Sequence, residues 1–241
     1  MIRIGTSGWS YKHWFSRFYP EDIPKKNAFD YYQRKFDTVE LNVSFYRLVP
    51  RKTYEKWHNS VNENFLFSVK GSRYITHVIR LKNYEDALAK FTQTLEGLEN
   101  NVGPILFQLP ANYHKDIAVL EIFLEGLPRK YRYAFEFRHE SWLDDDVYTI
   151  LKENKIAFVI SDSPDFPKDE AITSDLVYIR FHGPGRLYGT NYNDKQLEAW
   201  AEKMIGWASQ EKDVFAYFNN DYKAYAPKNA LQLKELIAKE I

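Results

Sequence analysis

Cysteine is absent from the 241 residues. That excludes a disulfide scaffold and every thiolate metal site, and it fits a reducing compartment. Net charge is missing too, with 33 basic residues against 33 acidic ones. The balance argues against a nucleic-acid binder relying on global charge, though not against a local basic groove. No apolar run approaches the ~20 residues a membrane-spanning helix needs, so no membrane partner is expected. Internal repeats, low-complexity segments and linkers are also lacking, and one domain over residues 1–241 is expected. Met1 leads straight into Ile2-Arg3-Ile4-Gly5, so no signal peptide and a cytoplasmic location are expected.

Short β-rich runs alternate with helical patterns from end to end. Strands are predicted over Ile2–Gly5, Asp37–Val43, Phe65–Lys70, Ile105–Leu109, Tyr133–Arg138, Ile156–Asp162, Leu176–His182 and Val214–Asn219. Most are aromatic or β-branched and are followed by Gly, Pro, Ser, Asn or Asp. Tyr84, Ala87, Leu88, Phe91, Leu95 and Leu98 repeat at helical spacing, as do Leu197, Trp200, Ala201, Met204, Ile205 and Ala208. Asn83 and Asn193 stand where N-caps belong. Weaker helical patterns cover 28–35, 52–61, 117–127, 147–153 and 229–239. The connection from Asp162 to Leu176 carries Pro164 and Pro167 and is too short for a full helix.

Strand alternating with helix implies parallel pairing. Eight such units in this length predict an α/β fold, a (β/α)₈ TIM-type barrel with a short irregular connection between strands six and seven. An open doubly wound sheet usually opens on a glycine-rich turn into a helix. Gly5-Thr6-Ser7-Gly8-Trp9 is instead followed by aromatics.

Alternation then sorts the polar residues. With Val39, Leu41 and Val43 facing helices, Glu40 and Asn42 face inward. The same reasoning turns Ser68 and Lys70, Glu136 and Arg138, and Arg180 and His182 inward. Gln108, Asp162 and Asn219 end strands four, six and eight. Barrel active sites form at the C-terminal mouth, whereas barrel interiors are normally apolar, and charges there cost free energy unless paired or used. A structural ion network of Glu40, Glu136 and Asp162 with Lys70, Arg138 and Arg180 is the alternative to a site. Convergence of the whole set favours a site.

Several segments carry a resemblance. Gly5-Thr6-Ser7-Gly8-Trp9 comes with Tyr11 and Trp14, Val39-Glu40-Leu41-Asn42 with Phe45-Tyr46, and Lys70 with Ile75-Thr76-His77. Gln108-Leu109-Pro110, Glu136-Phe137-Arg138-His139 with Ser141-Trp142, Arg180-Phe181-His182-Gly183 and Tyr217-Phe218-Asn219-Asn220-Asp221 complete the set. Together they resemble the YecE-like family, domain of unknown function seventy-two, over essentially the whole chain. The resemblance implies a (β/α)₈ barrel and no particular reaction, and the positions it carries over are the same strand-end residues.

As chemistry, Glu40, Glu136 and Asp162 are the acid/base candidates, with His182 as a proton shuttle. Lys70, Arg138 and Arg180 suit a phosphate or carboxylate, and Asn42, Gln108 and Asn219 can orient a ligand. Barrel glycosidases resemble one another in carrying acids at strands four and seven, where this chain has Gln108 and Arg180. Trp9, Tyr46 and Trp142 lie in strand-end loops, where rings stack ligands or pack the loop. Gly183-Pro184-Gly185-Arg186-Leu187-Tyr188-Gly189 follows strand seven, a place where barrels often bind phosphate. No cofactor is evident. A divalent metal on His77, His139 or His182 with Glu136, Asp162 or Asp221 stays open, although no local ligand motif supports it. The expected function is acid/base enzymology on a small polar anion, a phosphate ester or carboxylated sugar. A nucleic-acid-binding or nuclease-like barrel is the alternative, and the sequence leaves oligomeric state open.

Overall fold

Apolar residues at alternate positions drive eight short segments into strands, and helices fill most connections. In the computed structural model, which describes residues 1–240, β1 (Ile2–Thr6), α1 (Ala28–Gln33), β2 (Thr38–Leu41), α2 (Val43–Tyr46), α3 (Arg51–His58) and β3 (Leu66–Lys70) come first. Then follow α4 (Glu85–Leu95), β4 (Val102–Gln108), α5 (Ile117–Glu125), β5 (Tyr133–Glu136), α6 (Asp145–Glu153) and β6 (Ala157–Asp162). β7 (Leu176–Phe181), α7 (Asp194–Ser209), β8 (Asp213–Phe218) and α8 (Tyr225–Glu240) complete the chain. The strands lie in the order β1-β8-β7-β6-β5-β4-β3-β2, a nearly closed, TIM-like barrel of eight parallel strands. Beyond β1, a single parallel bridge from Ser7 to Glu40 stands in place of a full ladder with β2. Among the described residues no helix is long and apolar enough to cross a membrane.

The chain divides into two compact units: residues 1–40, 160–168 and 175–241, and residues 41–159 with 169–174. In the first unit β1 pairs with β8 and β8 with β7, in unbroken register. Gly5 is required on β1 because a Cβ there would stand 2.4 Å from the Thr38 carbonyl oxygen. Phe181 stacks on Phe218 at 4.3 Å and meets Trp200 of α7 edge-on at 5.0 Å. The outward face of β7 therefore packs on α7. Asn193 caps α7 as the sequence predicts, in a full capping box with Gln196.

In the second unit the helix-facing rings form a continuous apolar layer. Phe107 meets Phe123 of α5 at 5.1 Å and Phe135 at 5.5 Å, and Phe137 meets Phe158 at 6.1 Å. The segment before β7 holds no helix, as its prolines imply. It is pinned through Thr173, whose Oγ1 accepts from Phe158 N at 2.7 Å and donates to Ile156 O at 2.6 Å.

Several predicted boundaries move. β2 ends at Leu41 rather than Val43, because Asn42 becomes the N-terminal flank of α2. β5 ends at Glu136, so Arg138 lies beyond the strand. β4 starts at Val102, three residues early. Asn83 is not a cap: it takes a left-handed backbone, φ 47°, and Tyr84 precedes the helix with no side-chain cap. Asparagine is among the few residues that tolerate that region, which overrides its capping preference here.

Candidate functional site

In the first unit the centre is Glu40, fully buried on β2. Its Oε1 accepts from Ser7 Oγ at 2.7 Å and from Arg180 Nη2 at 2.7 Å. Its Oε2 accepts from Arg180 Nε at 2.9 Å and from the Tyr178 hydroxyl at 2.9 Å. Arg180 is 1% exposed, so this is a bidentate ion pair in a medium where Coulombic attraction is strong. Burial and the adjacent Glu40 charge hold Tyr178 protonated, well above the usual phenol range. Tyr178 thus remains a donor at every working pH. Beyond β7, His182 is also buried. Its Nδ1 lies 3.3 Å from Asn219 Nδ2, and its ring is met edge-on by Phe166 at 5.6 Å and Tyr188 at 5.5 Å.

In the second unit β4 and β5 place Gln108 and Glu136 side by side in register. Gln108 is buried and donates to the Leu109 carbonyl at 2.9 Å. Glu136 is fully buried, and its Oε1 accepts from Arg138 Nε at 2.9 Å. The early end of β5 does not detach Arg138, since the loop turns its guanidinium back onto the last strand residue. Lys70 ends β3, and its Nζ sits 4.2 Å from the centroid of the Phe45 ring. His77 meets the same ring edge-on at 5.0 Å.

His77 belongs to a π-helical turn, Tyr74–Val78, a rare geometry frequent at functional sites. Its Nδ1 lies 2.8 Å from Thr76 Oγ1. Burial, then the positive charges of Lys70, Arg73, Arg138 and Arg80, push the imidazole down to about 4. It is therefore neutral at pH 7.

Other candidates are held elsewhere. Asp162 does not join Glu40 and Arg180: its carboxylate takes Lys168 Nζ at 2.8 Å and Trp200 Nε1 at 3.2 Å, facing α7 beside a cavity of about 330 Å³. Trp142 is fully enclosed, stacked on Phe137 at 4.8 Å, with its indole N–H donated to the Tyr113 carbonyl at 2.6 Å. It anchors its loop and offers no ring face to solvent. Trp9 packs against Phe29 at 4.6 Å, and Asn42 flanks α2. Tyr46 is 78% exposed. His139 caps its own turn through Ser141 N and lies against His114 at 3.9 Å, the rings tilted by 40°. Among the described residues no group of three or more His, Asp or Glu is placed to hold a metal ion.

Two residues of these clusters, Tyr178 and Ser7, are not among the sequence candidates. Tyr178 shares the face of Arg180 and His182 at period two, so alternation could have found it. Ser7 depends on the bridge to β2, which no local pattern announces. His77, offered by the sequence only as an open metal ligand, is set apart by its π-helical turn and its lowered basicity.

Buried charged side chains at the strand ends of a TIM-like barrel define the class of protein. Within that class the family is clear. Residues 3–241 match the model described as protein of unknown function DUF72, and the chain belongs to that family. It is similar to UPF0759 protein YunF of Bacillus subtilis (strain 168), 27% identical over 271 residues, covering 98% of this chain and 95% of the relative. It is also similar to UPF0759 protein YecE of Escherichia coli (strain K12), 24% identical over 267 residues, covering 100% and 94%. Among solved structures, a DUF72 family protein of Thermotoga maritima MSB8 superposes with a TM-score of 0.90 at 30% identity, covering 99% of both chains. A DUF72 family protein of Enterococcus faecalis V583 superposes at 0.85, covering 99% of this chain and 96% of the other at 22% identity, and shares the fold.

Proposed function

We propose that the protein is an enzyme acting on a small anionic ligand, a phosphate ester or carboxylated sugar, at the site built on β3, β4 and β5. The observation that carries this reading is the meeting of Lys70 and His77 at one ring, Phe45, at 4.2 Å and 5.0 Å, with the positive charges of Lys70, Arg73, Arg138 and Arg80 all acting on that imidazole. Cations held together in this way repel one another, and an anion relieves that repulsion while gaining charge-assisted hydrogen bonds. Lys70 and Arg138 hold the anion, and Gln108 orients it. Glu136 moves the proton, its carboxylate steered by Arg138. Glu40 takes a different role from the one its residue type suggests. Four donors already occupy its two oxygens, so it serves as the fixed counter-ion of Arg180 rather than as the base.

Thermal unfolding against a ligand panel tests the proposal. The panel contains inorganic phosphate, sugar phosphates, carboxylated sugars, nucleotides and short oligonucleotides. A ligand at one hundred times its dissociation constant adds ~2.7 kcal/mol, roughly 5 to 11 °C for a chain of this size. A shift with a small anion that disappears in Arg138→Ala supports the proposal and names the substrate class. Glu136→Gln then retains binding and loses turnover. No shift with any small anion, or no anion-induced shift that depends on Arg138 or Lys70, overturns it. Oligonucleotide binding that falls steeply with salt would replace it with the nucleic-acid reading.

A further inference from the structure

A second cationic cavity lies wholly within the first unit and shares no residue with the site on β3, β4 and β5. It measures about 630 Å³, inside the ~300–1,000 Å³ range of small-molecule sites. Its walls come from three strand-end segments. Arg17 follows β1, Arg186 to Gly189 follow β7, and Asp221 to Lys223 follow β8. The chain after β7 is the glycine-rich stretch that the sequence marks out.

Charge in this cavity is one-sided. Arg17, Arg186 and Lys223 are all exposed, and among the described residues none of them has an ion pair. The one carboxylate in the wall, Asp221, is already engaged. Its Oδ2 lies 2.9 Å from His13 Nε2, and its Oδ1 accepts from the Trp14 indole N–H. It is turned toward the β1 loop and leaves the three cations unneutralised.

The cavity also has a flat wall. Tyr222 is 53% exposed. The Arg186 guanidinium lies 6.0 Å from its ring centroid and Lys223 Nζ 5.4 Å, so both cations are gathered at one ring. The loops that carry them are tied together, since Tyr222 N donates to the Tyr188 carbonyl at 3.1 Å. Tyr188 and Lys223 both hold left-handed backbones, φ 59° and 57°, a strained conformation that collects at binding sites. Gly189 leaves room for Arg186 to fold back, because a Cβ there would stand 3.0 Å from Arg186 Nε.

We propose that this cavity binds a phosphomonoester attached to a planar ring, a nucleoside monophosphate being the type. Arg17, Arg186 and Lys223 surround the phosphate, whose oxygens match guanidinium forks, and Tyr222 lies against the ring.

Calorimetric titration of the full chain with AMP, inorganic phosphate and adenosine tests this. AMP is expected to bind tightest, phosphate more weakly and adenosine weakest. Arg186→Ala and Lys223→Ala each weaken AMP by at least about tenfold, as loss of a charge-assisted contact implies. Both residues are exposed, and an unchanged melting temperature checks that the fold is intact. Tyr222→Ala weakens AMP but not phosphate. Arg138→Ala leaves AMP affinity alone, so failure at this cavity and failure of the site on β3, β4 and β5 are told apart. The proposal is overturned if AMP binds no tighter than adenosine, or if neither Arg186→Ala nor Lys223→Ala weakens it. It is equally overturned if a short oligonucleotide binds more than a hundredfold tighter than AMP through the same residues, which makes the cavity part of a nucleic-acid surface.

Discussion

Replacing Glu40 by glutamine changes one heavy atom in the interior and tests how the first unit is held together. Glu40 is fully buried and Arg180 is 1% exposed, so neither charge has solvent to fall back on. The substitution preserves side-chain size but strands the guanidinium. It also puts an amide N–H₂ where an oxygen now faces two donors, either Ser7 and Arg180 Nη2 or Tyr178 and Arg180 Nε. Breaking a buried pair by removing one partner costs about 3–5 kcal/mol. For a chain of this length each kcal/mol moves the melting temperature by roughly 2–4 °C, so Glu40→Gln should melt about 6–20 °C lower. Removing both charges in Glu40→Met/Arg180→Met should recover most of that loss, because the penalty lies in the orphaned charge and not in the missing attraction. Tyr178→Phe, which removes one donor to a charged acceptor, should cost about 1.5–3 kcal/mol. Urea and thermal unfolding at pH 7 measure all three. A Glu40→Gln protein within about 1 kcal/mol of the parent would refute the reasoning, as would a double variant no more stable than the single one.

Two further outcomes follow from local geometry. Thr173→Val keeps shape but leaves the Phe158 N–H without its acceptor, a loss of about 1–3 kcal/mol, while Thr173→Ser stays near the parent in urea unfolding. His77 sits at about 4 against an ordinary 6.5, so unfolding takes up a proton between those values. The His77 contribution to stability is therefore flat above pH 6.5 and falls as the pH drops toward 4, by on the order of 1 kcal/mol after solvent screening, while Asp221, raised by burial to about 6, contributes in the opposite sense. His77→Gln should remove that slope, and an unchanged slope would contradict the assignment.

The barrel was legible because its signals are short-range and repeated. Period-two runs such as Phe135 and Phe137 against Glu136 declare both a strand and its faces, and the prolines at 164 and 167 declare the missing helix. Alternation also found Glu40, Glu136 and Arg180. It failed where a strand ended early, as at Asn42, where a helix begins instead. It failed again at Asp162, whose last-residue position does not fix its direction, and whose carboxylate is claimed by Lys168 and Trp200. Which buried acid is free to react depends on how many donors reach it, and donors such as Ser7 and Tyr178 come from distant strands. The same holds for Trp142, where residue type allowed a stacking platform or a packed loop and the Tyr113 carbonyl makes it an anchor.

The most direct measurement is the proton NMR titration of the His77 ring with and without inorganic phosphate. A midpoint at about 4 is expected in the free protein, because burial and nearby positive charges oppose protonation. Saturating phosphate should move that midpoint upward, since a bound anion offsets the cations, and Arg138→Gln should abolish the phosphate effect. A midpoint near 6.5, or one that no small anion moves, would contradict the claim that Lys70, Arg138 and their neighbours form an anion site.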